Sequence, residues 1–114
     1  MVERAAWTVI LGGEAERDFA SIVEWTARTF GTRQARAYAE SLKALLGAFR
    51  QGPHLSGTRR RNEIGDGVCT LHLRALGLKG RHFALYREKD GNTILVLRIL
   101  HDSMDLARHV PPDA

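Results

Sequence analysis

Cysteine, lysine and long apolar runs are scarce in this chain of 114 residues. Its one cysteine, Cys69, has no partner for an internal disulfide, which agrees with a reducing compartment. The neighbours Val68, Thr70 and Leu71 read as strand, where a buried, inert thiol is favoured over a nucleophile. No apolar run approaches the roughly 20 residues that a membrane-spanning helix needs. The N-terminal MVERAAW lacks the apolar core of a secretory signal, so the expected location is cytoplasmic, without membrane contact. Lysine occurs only at Lys43, Lys79 and Lys89, and the other 14 of the 17 basic residues are arginine. Arginine's planar fork suits phosphate and carboxylate. A net charge of +4 and a pI near 9.8 therefore admit RNA, DNA or an acidic protein as partner, and choose none of them.

What is present is ordinary for one globular domain: 44% hydrophobic and 26% charged residues, enough for a single two-layer core. Residues 6–11 read as a strand with Trp7, Val9 and Leu11 on one face, broken by Gly12 and Gly13. A helix over 14–29 follows, with Glu14 and Glu16 at its positive N-terminal end. Ala15, Phe19, Ile22, Thr26 and Phe30 recur at helical spacing as its inward stripe. Gly31 stops it, Thr32 is a suitable N-cap, and a second helix over 33–50 carries the stripe Ala35, Tyr38, Leu42, Leu45 and Phe49. So short a link makes the pair an antiparallel hairpin. Beyond Gly52 and Pro53 the period changes to that of strands, at 68–76, 82–88 and 93–101, after a basic edge segment at Arg59, Arg60 and Arg61. The expected fold is α+β: a helical hairpin on one face of an antiparallel meander. The apolar last strand lies inside the sheet, and a short helical turn, capped by Asp102 or Ser103, follows it.

Residues able to carry chemistry concentrate in the last third. Strict alternation places Arg98 with Ile94, Val96 and Leu100, and Ile99 and His101 on the other face with Leu95 and Leu97. Arg98 is then either a structural arginine tied to a carboxylate or a cation on the open face awaiting an acidic side chain or a phosphate. His82 and Tyr86 share a face near Arg81 and Arg87. Acid–base and phosphate-clamp chemistry on RNA is conceivable there, but packing with satisfied polar tips is the favoured account. His101, Asp102, Asp105, Arg108 and His109 would share a helical turn, but the spacing makes a weak metal site, and no cofactor is expected. Arg59 to Arg61 reads first as a charged edge that blocks strand pairing, and second as a phosphate or acidic-partner contact.

The stretch RHFALYR at residues 81–87, followed by VLRILH..MDLARHVP, resembles the C-terminal half of ParE-type toxins in the ParE/RelE toxin–antitoxin superfamily. The resemblance extends upstream through Trp7-Thr8-Val9, Glu24-Trp25-Thr26, Phe30-Gly31, Gln34-Ala35 with Tyr38, Gly52-Pro53 and Asn62-Glu63-Ile64. It implies a RelE-like two-layer fold over the whole chain. It also implies a protein that poisons DNA gyrase without being an enzyme, in a hetero-oligomer with a ParD-like ribbon-helix-helix antitoxin. By the same resemblance, Arg74, Arg87 and Arg98 would meet the antitoxin's acidic side chains. His101, Asp102, Met104, Asp105, Arg108 and His109 would form the effector segment. RelE-like relatives instead cut messenger RNA on the ribosome with basic side chains and a C-terminal tyrosine. This chain departs from that pattern by its acidic HDSMD. The alternative catalytic set would be His82, Tyr86, Arg98 and His101.

Overall fold

The computed structural model describes residues 6–104. In chain order they form β1 (Thr8–Leu11), α1 (Gly13–Phe30), α2 (Thr32–Ala48), a 3-10 turn at Phe49–Gln51, β2 (Arg59–Arg60), β3 (Val68–His72), a second 3-10 turn at Leu73–Leu76, β4 (His82–Lys89) and β5 (Thr93–His101). The five strands make one sheet in the order β1-β5-β4-β3-β2. The meander from β2 to β5 is antiparallel as expected, but β1 runs parallel to β5, so the sheet is mixed. β5 has a neighbour on each side, which explains its apolar sequence.

Gly31 joins the helices, serving as C-cap of α1 and N-cap of α2 at φ 96°, so Thr32 lies inside α2 rather than capping it. The helix over 33–50 ends at Ala48 and tightens into the 3-10 turn, while the strand over 68–76 stops at His72. At the β4–β5 turn, Gly91 and Asn92 take φ of 74° and 54°, the left-handed pair that a tight hairpin requires. No helix among the described residues is long and apolar enough to cross a membrane.

The main core lies between the helical hairpin and the sheet. Ala15, Leu42, Leu45 and Phe49 meet Leu71, Ala84, Tyr86, Ile94, Val96 and Ile99, with Trp7, Val9, Leu11, Phe19 and Ile22 packed around them. Cys69 belongs to this core, where burial pushes its thiol pKa up and keeps it protonated. Each fully buried Leu or Phe here contributes on the order of 2 kcal/mol. Phe30, counted on the inward stripe of α1, is 62% exposed, because at the C-terminal end of the helix it meets the ring of Trp25 and not the core.

The opposite face of the sheet is not simply open. Val68, Leu85, Leu97 and Leu100 are at most 3% exposed and form a second cluster, flanked by Ile64, Phe83 and Leu95. Leu100 reaches that cluster through a β-bulge. Leu85 opposes Arg98, but Tyr86 opposes Val96, so Leu97 has no partner across the ladder. The bulge reverses the alternation read from the sequence: Ile99 joins Ile94 and Val96 under the helices, and Leu100 joins Leu97 on the far side.

Candidate functional site

His82 at the start of β4 and His101 at the end of β5 come together because the register sets them opposite each other. Tyr38 reaches down from α2, and its hydroxyl lies 2.5 Å from His82 Nδ1. The chain can approach there only because residue 80 is glycine. At φ 139°, a Cβ on Gly80 would sit 2.5 Å from the Tyr38 hydroxyl. Burial, reinforced by the neighbouring His101, pulls the pKa of His82 down to about 4, so its ring is neutral at physiological pH. Burial likewise raises the pKa of Tyr38 and keeps its hydroxyl protonated. The His101 ring stands edge-on to His82 at 5.3 Å, and its Nδ1 accepts the backbone N–H of Ser103 at 3.1 Å. Ser103 Oγ lies 2.7 Å from the same nitrogen.

Asp102 ties this end of the sheet together. Its backbone N–H donates to the carbonyl of Arg81 at 2.8 Å, and its carboxylate forms an ion pair with the Arg81 guanidinium at 2.8 Å. The other carboxylate oxygen lies 3.0 Å from His72 Nε2. Because His72 Nδ1 accepts the Arg74 backbone N–H, the proton sits on Nε2 and is donated to Asp102. That bond first, and Arg81 second, hold the Asp102 carboxyl below the usual carboxylate range. Met104 N–H donates to His101 O at 3.0 Å, which closes a turn immediately after β5. Asp105, Arg108 and His109, the rest of the expected effector segment and its helical turn, lie outside the described residues.

Of the alternative catalytic set, only His82 and His101 come together. Tyr86 is fully buried against Phe49, with ring centroids 4.3 Å apart, and its hydroxyl donates to Pro53 O at 2.6 Å. Thr58 Oγ1 lies 3.0 Å away, and burial pushes the Tyr86 pKa up to about 12. This residue belongs to the core. Arg98 does not stand on the open face. Its guanidinium grips Asp18 of α1 with Nε–Oδ2 and Nη2–Oδ1 distances of 2.7 and 2.8 Å. Asp18 Oδ2 also accepts the Ile99 backbone N–H at 2.9 Å.

The other two expected antitoxin contacts differ from Arg98 and from each other. Arg74 is exposed in the turn after β3, beside a groove that also takes in Arg59, Arg61, His72 and Phe83. Arg87 is half-buried, and among the described residues its buried Nε has no hydrogen-bond partner. Arg61 pairs with Glu63 at 2.8 Å. No group of His, Cys, Asp and Glu among the described residues is arranged to hold a metal ion.

Tyr38, His72 and Asp18 escaped the sequence reading as site residues. Asp18 left a usable signal, since it lies beside the inward stripe of Ala15, Phe19 and Ile22, where an unpaired carboxylate would be costly. His72 and Tyr38 left none, because only the pairing of β3 with β4 and the packing of α2 bring them to Asp102 and His82.

Comparison with solved structures finds, among others, three of the same fold. The chromosomal ParDE system from P. aeruginosa superposes with a TM-score of 0.71 at 20% identity, over 86% of this chain and 98% of that one. The toxin–antitoxin complex RelBE2 from Mycobacterium tuberculosis gives 0.58 at 22% identity, over 87% and 94%. The YoeB dimer from Staphylococcus aureus gives 0.53 at 12% identity, over 82% and 94%. No curated protein sequence matches the chain. The model of the ParE toxin of the type II toxin–antitoxin system parDE matches residues 9–106, which takes in the helical hairpin, the sheet and the Asp102 cluster. The chain therefore belongs to the ParE toxin family of type II toxin–antitoxin systems.

Proposed function

We propose that this toxin is a protein inhibitor of DNA gyrase rather than a nuclease. It acts in the cytoplasm and is neutralised by a ParD-like ribbon-helix-helix antitoxin in a hetero-oligomeric complex. The observation that carries the reading is the separation of the side chains that RNA cleavage would need together. Tyr86 is bonded to Pro53 O inside the core and Arg98 is bonded to Asp18 under the helices. This leaves only a neutral His82 beside His101. General acid–base work on a phosphodiester needs groups within reach of one substrate position and a cation to hold the phosphate. Asp102 already takes up the Arg81 guanidinium at the same end of the sheet.

The family match to a parDE toxin supports the ParE branch and a ParD-like partner. In this reading, the segment beginning at His101 and Asp102 meets the target. The clamp of Asp102 onto His72 and Arg81 gives that segment a fixed starting point. The antitoxin covers the sheet and the helical hairpin. Arg74 and Arg87 take its carboxylates in this reading, Arg87 because a buried donor without a partner favours an acceptor brought by a second protein.

The test is supercoiling of relaxed plasmid by gyrase from the source organism, with toxin added alone and after preincubation with antitoxin. Inhibition with trapped, cleaved DNA that the antitoxin reverses is the expected result. Full supercoiling at a toxin concentration that still arrests growth would overturn it. The adjacency of His82 and His101 would then favour a ribosome-dependent mRNA endonuclease.

A further inference from the structure

Two of the four large apolar side chains exposed among the described residues stand together. Trp25 is 55% and Phe30 62% exposed, and their rings meet edge to face at 5.8 Å. Scattered exposed apolar residues are normal on any protein surface. These two differ because they line one side of a cavity of about 500 Å³ between the helical hairpin and the end of the sheet. Lys79, Gly80 and Arg81 form the opposite rim, and Tyr38 and His82 form part of its wall.

The chemistry of this cavity is one-sided. Its described lining contains no carboxylate, while Lys79 and Arg81 are exposed cations at the rim. Arg81 already shares Asp102, but Lys79 has no ion pair among the described residues. Deeper in, the Tyr38 hydroxyl and His82 Nδ1 bond each other, and Thr26 Oγ1 donates to Ile22 O at 2.7 Å. These atoms already have partners, so an apolar side chain can enter without stranding them. Exposed aromatics in a concave site, rimmed by charge, are the usual make-up of an energetic centre in a protein–protein interface. A second copy of this chain would bring the same cations against the rim, which disfavours self-association through this face.

We infer that the Trp25–Phe30 cavity is the anchor point for the antitoxin, taking a large apolar side chain between the two rings and a neighbouring carboxylate at Lys79 and Arg81. The inference rests on the toxin–antitoxin pairing proposed above and goes further by naming the site and the chemistry of the segment that fills it. It also separates the anchor from the arginines of the sheet: the helical hairpin supplies apolar contact, and Arg74 and Arg87 supply charge elsewhere.

Calorimetric titration of the toxin with its purified ParD-like antitoxin tests the site. Trp25→Ala and Phe30→Ala should each weaken binding at least about tenfold, as truncation of an interface anchor does. Lys79→Glu should weaken it less, and the loss should shrink as salt is raised. Asp90→Ala, at an exposed position in the β4–β5 turn far from the cavity, should leave affinity within about twofold of wild type, as a residue outside an anchor does. Trp25→Phe should recover most of the affinity, which keeps the test valid if an alanine variant fails to fold. Wild-type affinity in Trp25→Ala/Phe30→Ala overturns the site and leaves the antitoxin pairing intact. Failure of the wild-type toxin to bind overturns the pairing, and the site with it. A toxin dimer in light scattering that the same substitutions dissolve assigns the cavity to a second copy of the chain and overturns the inference.

Discussion

Arg98 and Asp18 stand 80 residues apart in the chain and form a two-pronged ion pair across the helix–sheet interface, at 2.7 and 2.8 Å. Their side chains retain only 16% and 14% exposure. The same carboxylate accepts the Ile99 N–H, two residues beyond the bulge at Leu97. One aspartate thus neutralises a poorly solvated arginine and bonds the backbone where the ladder is irregular.

Replacement of Asp18 by alanine should therefore cost roughly 3 kcal/mol, the low end for breaking a buried pair, since both side chains keep some solvent contact. Arg98→Leu alone should also destabilise, but Asp18→Ala/Arg98→Leu should cost clearly less than the sum of the two. Urea unfolding of the four proteins measures the coupling. Strict additivity would mean that the pair contributes nothing to stability.

Tyr86→Phe should lower stability by about 1–2 kcal/mol, because Pro53 O loses a buried donor. Growth arrest on induction should persist at a protein level matched to wild type. Abolished arrest in a folded Tyr86→Phe protein would restore Tyr86 as a catalytic candidate and count against the inhibitor reading.

His82 carries the acid response of the core. Its folded pKa, near 4, lies below the ordinary value for histidine. The unfolded chain therefore binds a proton that the folded chain does not in the window between roughly pH 6.5 and 4. The His82 contribution is fully present above that window and falls by about 1.4 kcal/mol per pH unit on descending through it. His82→Asn, which keeps a polar group toward Tyr38, should remove this increment from the pH dependence of urea unfolding. Parallel profiles for wild type and variant would contradict the assignment.

Gly80→Ala should destabilise by at least about 2 kcal/mol, combining an unfavourable left-handed backbone with a side-chain clash. The added Cβ would lie 2.5 Å from the Tyr38 hydroxyl and 2.7 Å from Leu73. Gly77→Ala, where nothing lies within 4 Å of the Cβ, should cost less because only the backbone term remains. The difference between their thermal midpoints isolates the packing contribution.

The sequence by itself determined the elements and the family. Periodicity gave two helices with apolar stripes, Gly31 gave the end of the first, and alternation gave the meander, since these patterns reflect forces acting within a few residues. The order of the short motifs from Trp7 to Arg81–Arg87 gave the ParE resemblance, which the family match over 9–106 bears out.

The site depended on relations that no local pattern encodes. A single bulge turned Leu100 to the far face and Ile99 under the helices, because one unpaired residue reverses the phase of everything beyond it. Arg98 became structural only when α1 brought Asp18 against it. Tyr86, on the face that alternation assigned, became core because Pro53 and Thr58 close over its hydroxyl. Trp25 and Phe30 became a surface pair because the end of α1 leaves their rings outside the core. Local sequence set which faces were apolar. Tertiary packing set which polar groups found partners, because a buried charge or hydroxyl takes its role from what the fold carries to it.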